Sequence, residues 1–146
     1  MQPTIIAIAG PSASGKTLFA NTLHKQVTAE RPDLGLAIIQ EDAYYRNQDH
    51  LPFETREQVN YDHPSTLEHE LMLTHLEQLR SNQAVDIPVY DYSQHTRSSE
   101  TRRQEPAQVI IVEGILLLSD EHLRKEFDIK LYVDCLLYTS PSPRDA

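Results

Sequence analysis

The chain has 146 residues, a mass of 16.7 kDa and a net charge of −9, with 22 acidic against 13 basic side chains. That length predicts one domain with a real core, and the acidic balance argues against a generic nucleic-acid binder, whose footprint is basic. No apolar run approaches the roughly 18 residues of a membrane span, the N-terminus lacks the basic start of a signal peptide, and the one cysteine, Cys135, excludes an intrachain disulfide and suits a reducing cytoplasm.

Thr4-Ile5-Ile6-Ala7-Ile8-Ala9 is a short β-branched run and predicts a buried parallel strand. It leads into Gly10-Pro11-Ser12-Ala13-Ser14-Gly15-Lys16-Thr17, which fits the phosphate-binding pattern G-x-x-x-x-G-K-[ST]. Leu18, Phe19, Leu23 and Val27 then recur at helical spacing and predict an amphipathic helix from 16 to about 28. Strand, glycine loop and helix together make a phosphate cradle. Backbone N–H groups turn inward, and the helix N-terminus adds partial positive charge. Lys16 reaches the β- and γ-phosphates in such a loop, and the Thr17 hydroxyl sits on Mg²⁺.

Leu36-Ala37-Ile38-Ile39 predicts the second parallel strand, ending at Gln40-Glu41-Asp42. Acids at a strand's carboxyl end lie on the ligand side of an open α/β sheet. Asp42 is therefore placed either as a base, beside Mg²⁺, or as a plain solvated strand end. Residues 43–63 show little periodicity and carry several aromatics, as functional loops do. Ser65 with Glu68 reads as a capping box opening a helix. Its apolar face is Leu67, Leu71, Leu76 and Leu79, with Glu68, His69, Glu70, His75 and Arg80 assigned to solvated surface.

Val85-Asp86-Ile87-Pro88-Val89-Tyr90-Asp91-Tyr92 predicts an edge strand or hairpin, because Pro88 has no N–H for a central ladder. Its far side and a surface loop fill 98–108. On this reading alone Tyr90, Tyr92 and His95 serve hairpin packing. Val109-Ile110-Ile111-Val112 predicts the clearest buried strand, ending in Glu113-Gly114. An apolar strand ending in a carboxylate is the second half of a Mg–nucleotide site. Leu116-Leu117-Leu118 predicts core, Ser119 or Asp120 caps a short helix to about 127, and a last strand covers 128–134. No Asn-Lys-x-Asp motif supports guanine selection.

Residues 135–146 change character, with the only cysteine and no periodic pattern after Leu137. They are similar to the translation of a transposase adapter used in sequencing libraries. The reading is therefore one domain over 1–134 and a non-native tail over 135–146.

The loop at 10–17, Gln40-Glu41-Asp42-Ala43-Tyr44-Tyr45, Asn60-Tyr61-Asp62-His63-Pro64, Ile87-Pro88-Val89-Tyr90-Asp91-Tyr92 with His95-Thr96-Arg97, and Val112-Glu113-Gly114-Ile115-Leu116 together resemble the uridine (uridine–cytidine) kinases of the P-loop kinase superfamily. The resemblance implies an α/β fold: a P-loop parallel sheet with flanking helices and a substrate-binding hairpin. It implies transfer of a phosphoryl group from ATP, with GTP as an alternative donor, to the 5′-hydroxyl of uridine or cytidine in pyrimidine salvage. It implies Lys16 and Asp42 as catalytic groups, Asp42 being the base near the 5′-hydroxyl. Thr17, Glu113 and Asp42 fall at the Mg²⁺ site. Asp62 matches the acid that binds the ribose hydroxyls, Tyr90 and His95 the readers of the pyrimidine edge, and Tyr61 and Tyr92 its aromatic walls. A cytoplasmic homo-oligomer, a tetramer among the options, is implied as well, with no nucleic-acid or membrane partner. The family continues past this chain with a basic lid. A chain ending as written is expected to bind nucleotide weakly and to turn over poorly or not at all. Phosphoribulokinase and pantothenate kinase relatives, or a non-catalytic nucleotide-binding module, are the alternatives.

Overall fold

The computed structural model describes residues 3–11, 15–59 and 63–133. The suspected tail at 135–146 lies outside them. Six strands are present among the described residues: β1 (Thr4–Ala9), β2 (Leu36–Gln40), β3 (Val85–Asp91), β4 (Thr96–Gln104), β5 (Val109–Gly114) and β6 (Ile129–Tyr132). Four helices accompany them: α1 (Lys16–Glu30), α2 (Phe53–Arg56), α3 (His69–Arg80) and α4 (Glu121–Arg124). Strands β2-β5-β1-β6 form one all-parallel sheet in that order, and β3 and β4 form a separate antiparallel hairpin. No helix among the described residues is long and apolar enough to cross a membrane.

The pleat of β1 and β5 sorts their side chains into two cores. Ile5, Ala7, Ile110 and Val112 pack with Met72, Leu76 and Leu79 of α3. Ile8 and Ile111, on the opposite face, pack with Ala20 of α1. Helices therefore cover both sides of the sheet, as a parallel sheet requires. Each buried Ile contributes roughly 1.5–3 kcal/mol. This central pair makes the floor on which the strand ends are held.

Three local expectations are corrected. The inward stripe of α1 is Lys16, Ala20, Leu23 and Val27, while Leu18 and Phe19 point outward, 72% and 43% exposed. The small Ala20 lets the helix approach the sheet closely, which turns its neighbours away. Ser65 does not cap α3. Leu67 is extended (φ −105°, ψ 137°) and bridges Tyr45, so a 3₁₀ turn at Pro64–Thr66 ends before the helix begins at His69. His69 and His75 are buried, not solvated. His69, Met72, Leu76 and Leu79 follow 3-4-3 spacing, which puts a histidine on the core face. His75 Nδ1 lies 2.8 Å from the buried Tyr44 hydroxyl.

The hairpin is as expected, with Pro88 opposite Thr101 but without an N–H to donate, and a register shift between Pro88 and Tyr90. Asp120 caps α4, accepting from the Leu123 N–H at 3.1 Å. Among the described residues β6 pairs with β1 alone, and Ile129, Leu131 and Tyr132 are exposed.

Candidate active site

The sheet ends where the phosphate loop begins. Gly10 N–H donates to the Gly114 carbonyl at 3.1 Å, tying the loop's first residue to the end of β5. Gly15 has φ +94°, a conformation that disfavours any side chain, and the Phe19 N–H reaches back to its carbonyl at 2.9 Å. Lys16 is buried, with Nζ 3.4 Å from the Pro11 carbonyl. Ser12, Ala13 and Ser14 lie outside the described residues, as do Tyr61 and Asp62.

Sheet register brings the acidic strand end to the loop. Gln40 pairs with Glu113 across β2 and β5, and Ala9 pairs with Gly114 across β1 and β5. The Glu113 carboxylate is 3.0 and 3.1 Å from the Thr17 hydroxyl through its two oxygens, and the Gln40 side-chain amide donates to it at 2.9 Å. A buried carboxylate facing a loop hydroxyl suits a hard cation. No group of three or more metal-ligating side chains occurs among the described residues.

Asp42 sits one residue into the 3₁₀ turn Glu41–Tyr44 that follows β2. Asp42 is exposed, and its carboxyl is nonetheless shifted upward from its ordinary value, first by partial loss of hydration, then by the charges of Glu41 and Glu113, with Lys16 opposing. The Tyr92 hydroxyl lies 3.5 Å from the Asp42 carbonyl. Partial burial and the Asp42 charge push that phenol up to about 12.

The hairpin adds a wall of rings. Tyr90 stands 5.3 Å from Tyr45 and 5.0 Å from Tyr92, centroid to centroid. A cleft of about 420 Å³ opens beside them, lined by Asn21, Gln40, Ala43, Tyr90, Tyr92 and Arg102. His95 occupies the hairpin turn with φ +54°, its ring 5.5 Å from Phe53. A second hollow of about 430 Å³ at the other end of the strands, around Pro3, Gly35 and Gln108, has no charged lining and lies far from this chemistry.

The structure thus brings Lys16, Thr17, Asp42 and Glu113 to one strand-end platform and sets Tyr90 and Tyr92 beside it. Sequence reasoning missed Gln40, Glu41 and Tyr45. Gln40 is the residue before the acid pair, and its role follows only from register. Tyr45 was signalled by its place in the Tyr-Tyr pair but needs the Leu67 bridge to face Tyr90.

Comparison with known proteins agrees with this geometry. The family model described as "Phosphoribulokinase / Uridine kinase family" matches residues 5–137. A uridine kinase of Erwinia tasmaniensis is 51% identical over 133 residues, covering 91% of this chain and 62% of that protein. A uridine kinase of Escherichia coli K12 is 50% identical over the same shares. The chain therefore spans less than two thirds of the length of these relatives. Among solved structures, a possible uridine kinase from Bacillus stearothermophilus superimposes with a TM-score of 0.66 at 22% identity, covering 90% of this chain and 71% of that one. Phosphoribulokinase from Rhodobacter spheroides gives 0.66 at 13% identity, covering 90% and 50%. These structures show the P-loop kinase fold, and the family match over most of the length places this chain in the phosphoribulokinase/uridine kinase family.

Proposed function

We propose that this chain carries the phosphate- and nucleoside-binding part of a kinase that transfers a phosphoryl group from ATP to the 5′-hydroxyl of uridine or cytidine. The observation that carries the reading is the contact of Thr17 with Glu113, with Lys16 at the start of α1 and Asp42 in the turn after β2 close to it. The roughly 50% identity to proteins named uridine kinase supports the choice of acceptor.

In this reading Asp42 accepts the proton of the 5′-hydroxyl as its oxygen bonds to the γ-phosphorus and the bond to the β-phosphate oxygen breaks. Its raised carboxyl brings the base closer to working pH. Lys16 and the loop amides neutralise the triphosphate. Thr17 and Glu113, with Asp42 nearby, would hold Mg²⁺, which would supply positive charge against that of the triphosphate. Little covalent chemistry is asked of the protein, so placement dominates.

Tyr90 and His95 read the pyrimidine edge, Tyr92 and Tyr61 flank the ring, and Asp62 takes the ribose hydroxyls. A carboxylate accepts two such donors. A mismatched base leaves buried polar groups unpaired, which makes such reading selective. GTP as a second donor, a place in pyrimidine salvage, the cytoplasm and a homo-oligomeric state belong to the same proposal. The test is Mg²⁺-dependent ADP formation with uridine, cytidine, ribulose 5-phosphate and pantothenate as acceptors. Response to the two nucleosides alone supports the reading. A response to ribulose 5-phosphate or pantothenate alone overturns it.

A further inference from the structure

The turn that carries Asp42 is fastened from behind by Glu41. This carboxylate is 1% exposed, yet it is fully partnered. Its Oε1 accepts the N–H groups of Ile115 and Leu116 at 2.8 and 2.9 Å, and its Oε2 lies 2.6 Å from Nε2 of His69, itself 5% exposed on α3. A carboxylate only accepts, so the Nε2 hydrogen of His69 points at it. The other ring nitrogen lies 3.9 Å from the Asp120 carboxylate. Gly114 makes room for the arrangement. A Cβ there would lie 2.4 Å from Glu41 Cβ and 2.5 Å from Oε1.

A buried ion is an expensive way to join two strands that already pair through Gln40 and Glu113. What it adds is direction. Charge-assisted bonds fix geometry more tightly than apolar packing does, and these bonds run from the residue just before Asp42 to the residues just after Glu113-Gly114. We propose that Glu41, held by His69, is a positioning residue that sets the spacing between Asp42 and Glu113. The inference rests on reading those two as base and metal ligand.

Two measurements on the 146-residue chain test it, neither needing turnover. In Glu41→Gln the Ile115 and Leu116 amides exchange at least about tenfold faster than in the unsubstituted chain, while Ile110 and Ile111 keep their protection. With Mn²⁺·ATP as the paramagnetic probe, broadening of the Asp42 carboxyl carbon falls by about half or more, while that of Glu113 is unchanged. If Glu41→Gln does not fold, His69→Gln keeps the carboxylate with its two amide bonds and still lowers the Asp42 broadening. Undiminished broadening of Asp42 in a folded variant overturns the proposal, since a purely structural role would speed exchange throughout and leave this signal alone. If Glu113 is not broadened even in the unsubstituted chain, the metal reading fails. The exchange pattern then decides the brace: selective loss at Ile115 and Leu116 upholds it, and uniform or no loss overturns it.

Discussion

The strand-end platform and the aromatic hairpin are built on different principles. Lys16, Thr17 and Glu113 are fixed by β1 and β5, whose side chains are buried in two cores and whose register is locked along six residue pairs. Tyr90, Tyr92 and His95 ride on a two-stranded hairpin with a register break beside Pro88, and Tyr92 is 57% exposed. A phosphate group and its metal are the same in every substrate, so a rigid scaffold suits them. A base must be admitted, read and released, and an outboard element with exposed rings can adjust to that. Substitutions in the two regions should therefore fail in different ways.

The largest effect belongs to the platform. Asp42→Asn should lower uridine-dependent ADP formation by about a thousandfold. Its melting temperature should be unchanged or higher, because a carboxyl crowded by Glu41 and Glu113 loses its charge. Activity near the unsubstituted level would remove Asp42 as the base. Next comes Gly114→Ala, whose new methyl group must displace Glu41. Urea unfolding should register a loss of about 1–3 kcal/mol, and an unmoved midpoint would show that the close approach is slack.

On the hairpin, Tyr92→Ala should raise the KM for uridine by about tenfold through lost ring stacking. ATP affinity and unfolding midpoint should stay as they were, and a parallel loss of ATP binding would erase the contrast between the regions. The smallest effect is on stability against pH. Burial lowers the pKa of His75 from 6.5, so the fold favours the neutral ring while the unfolded chain binds the proton. That contribution is present above pH 6.5 and is lost as pH falls from there toward the folded value. Tyr44 shifts the other way: burial raises its phenol above 10, so its contribution holds below pH 10 and is lost as pH rises further. Denaturation midpoints across pH should show the acid slope shrink in His75→Phe.

How much of this was legible in the sequence follows the same division. β1, β2 and β5 are uninterrupted apolar runs, and an acid at the end of such a run needs no tertiary information to be placed. The strand ends that carry Asp42 and Glu113 could therefore be placed from the runs themselves, while the role of Asp42 stayed open between base, metal neighbour and solvated strand end. Glu41 could not, because only the packing of Gly114 against it tells which of two adjacent acids turns inward. The histidines of α3 were assigned by polarity, although their 3-4-3 spacing with Met72, Leu76 and Leu79 already placed His69 inside. The Ser65–Glu68 capping pattern was outweighed by the pairing of Leu67 with Tyr45, a long-range bond invisible to a local motif.

The strand order has a consequence for how the chain reaches this structure. Thr4 pairs with Val109, so the first strand waits for most of the described chain before it finds its neighbour. The hairpin needs only the stretch from Val85 to Gln104. Long loop closure slows such pairings, whereas local ones form early. During synthesis the phosphate loop must therefore leave the ribosome without a folded support, its apolar first strand exposed until β5 emerges. The most rigid part of the finished site is thus the last to acquire its shape, and its early strand is the segment most in need of protection from aggregation while the chain is being made.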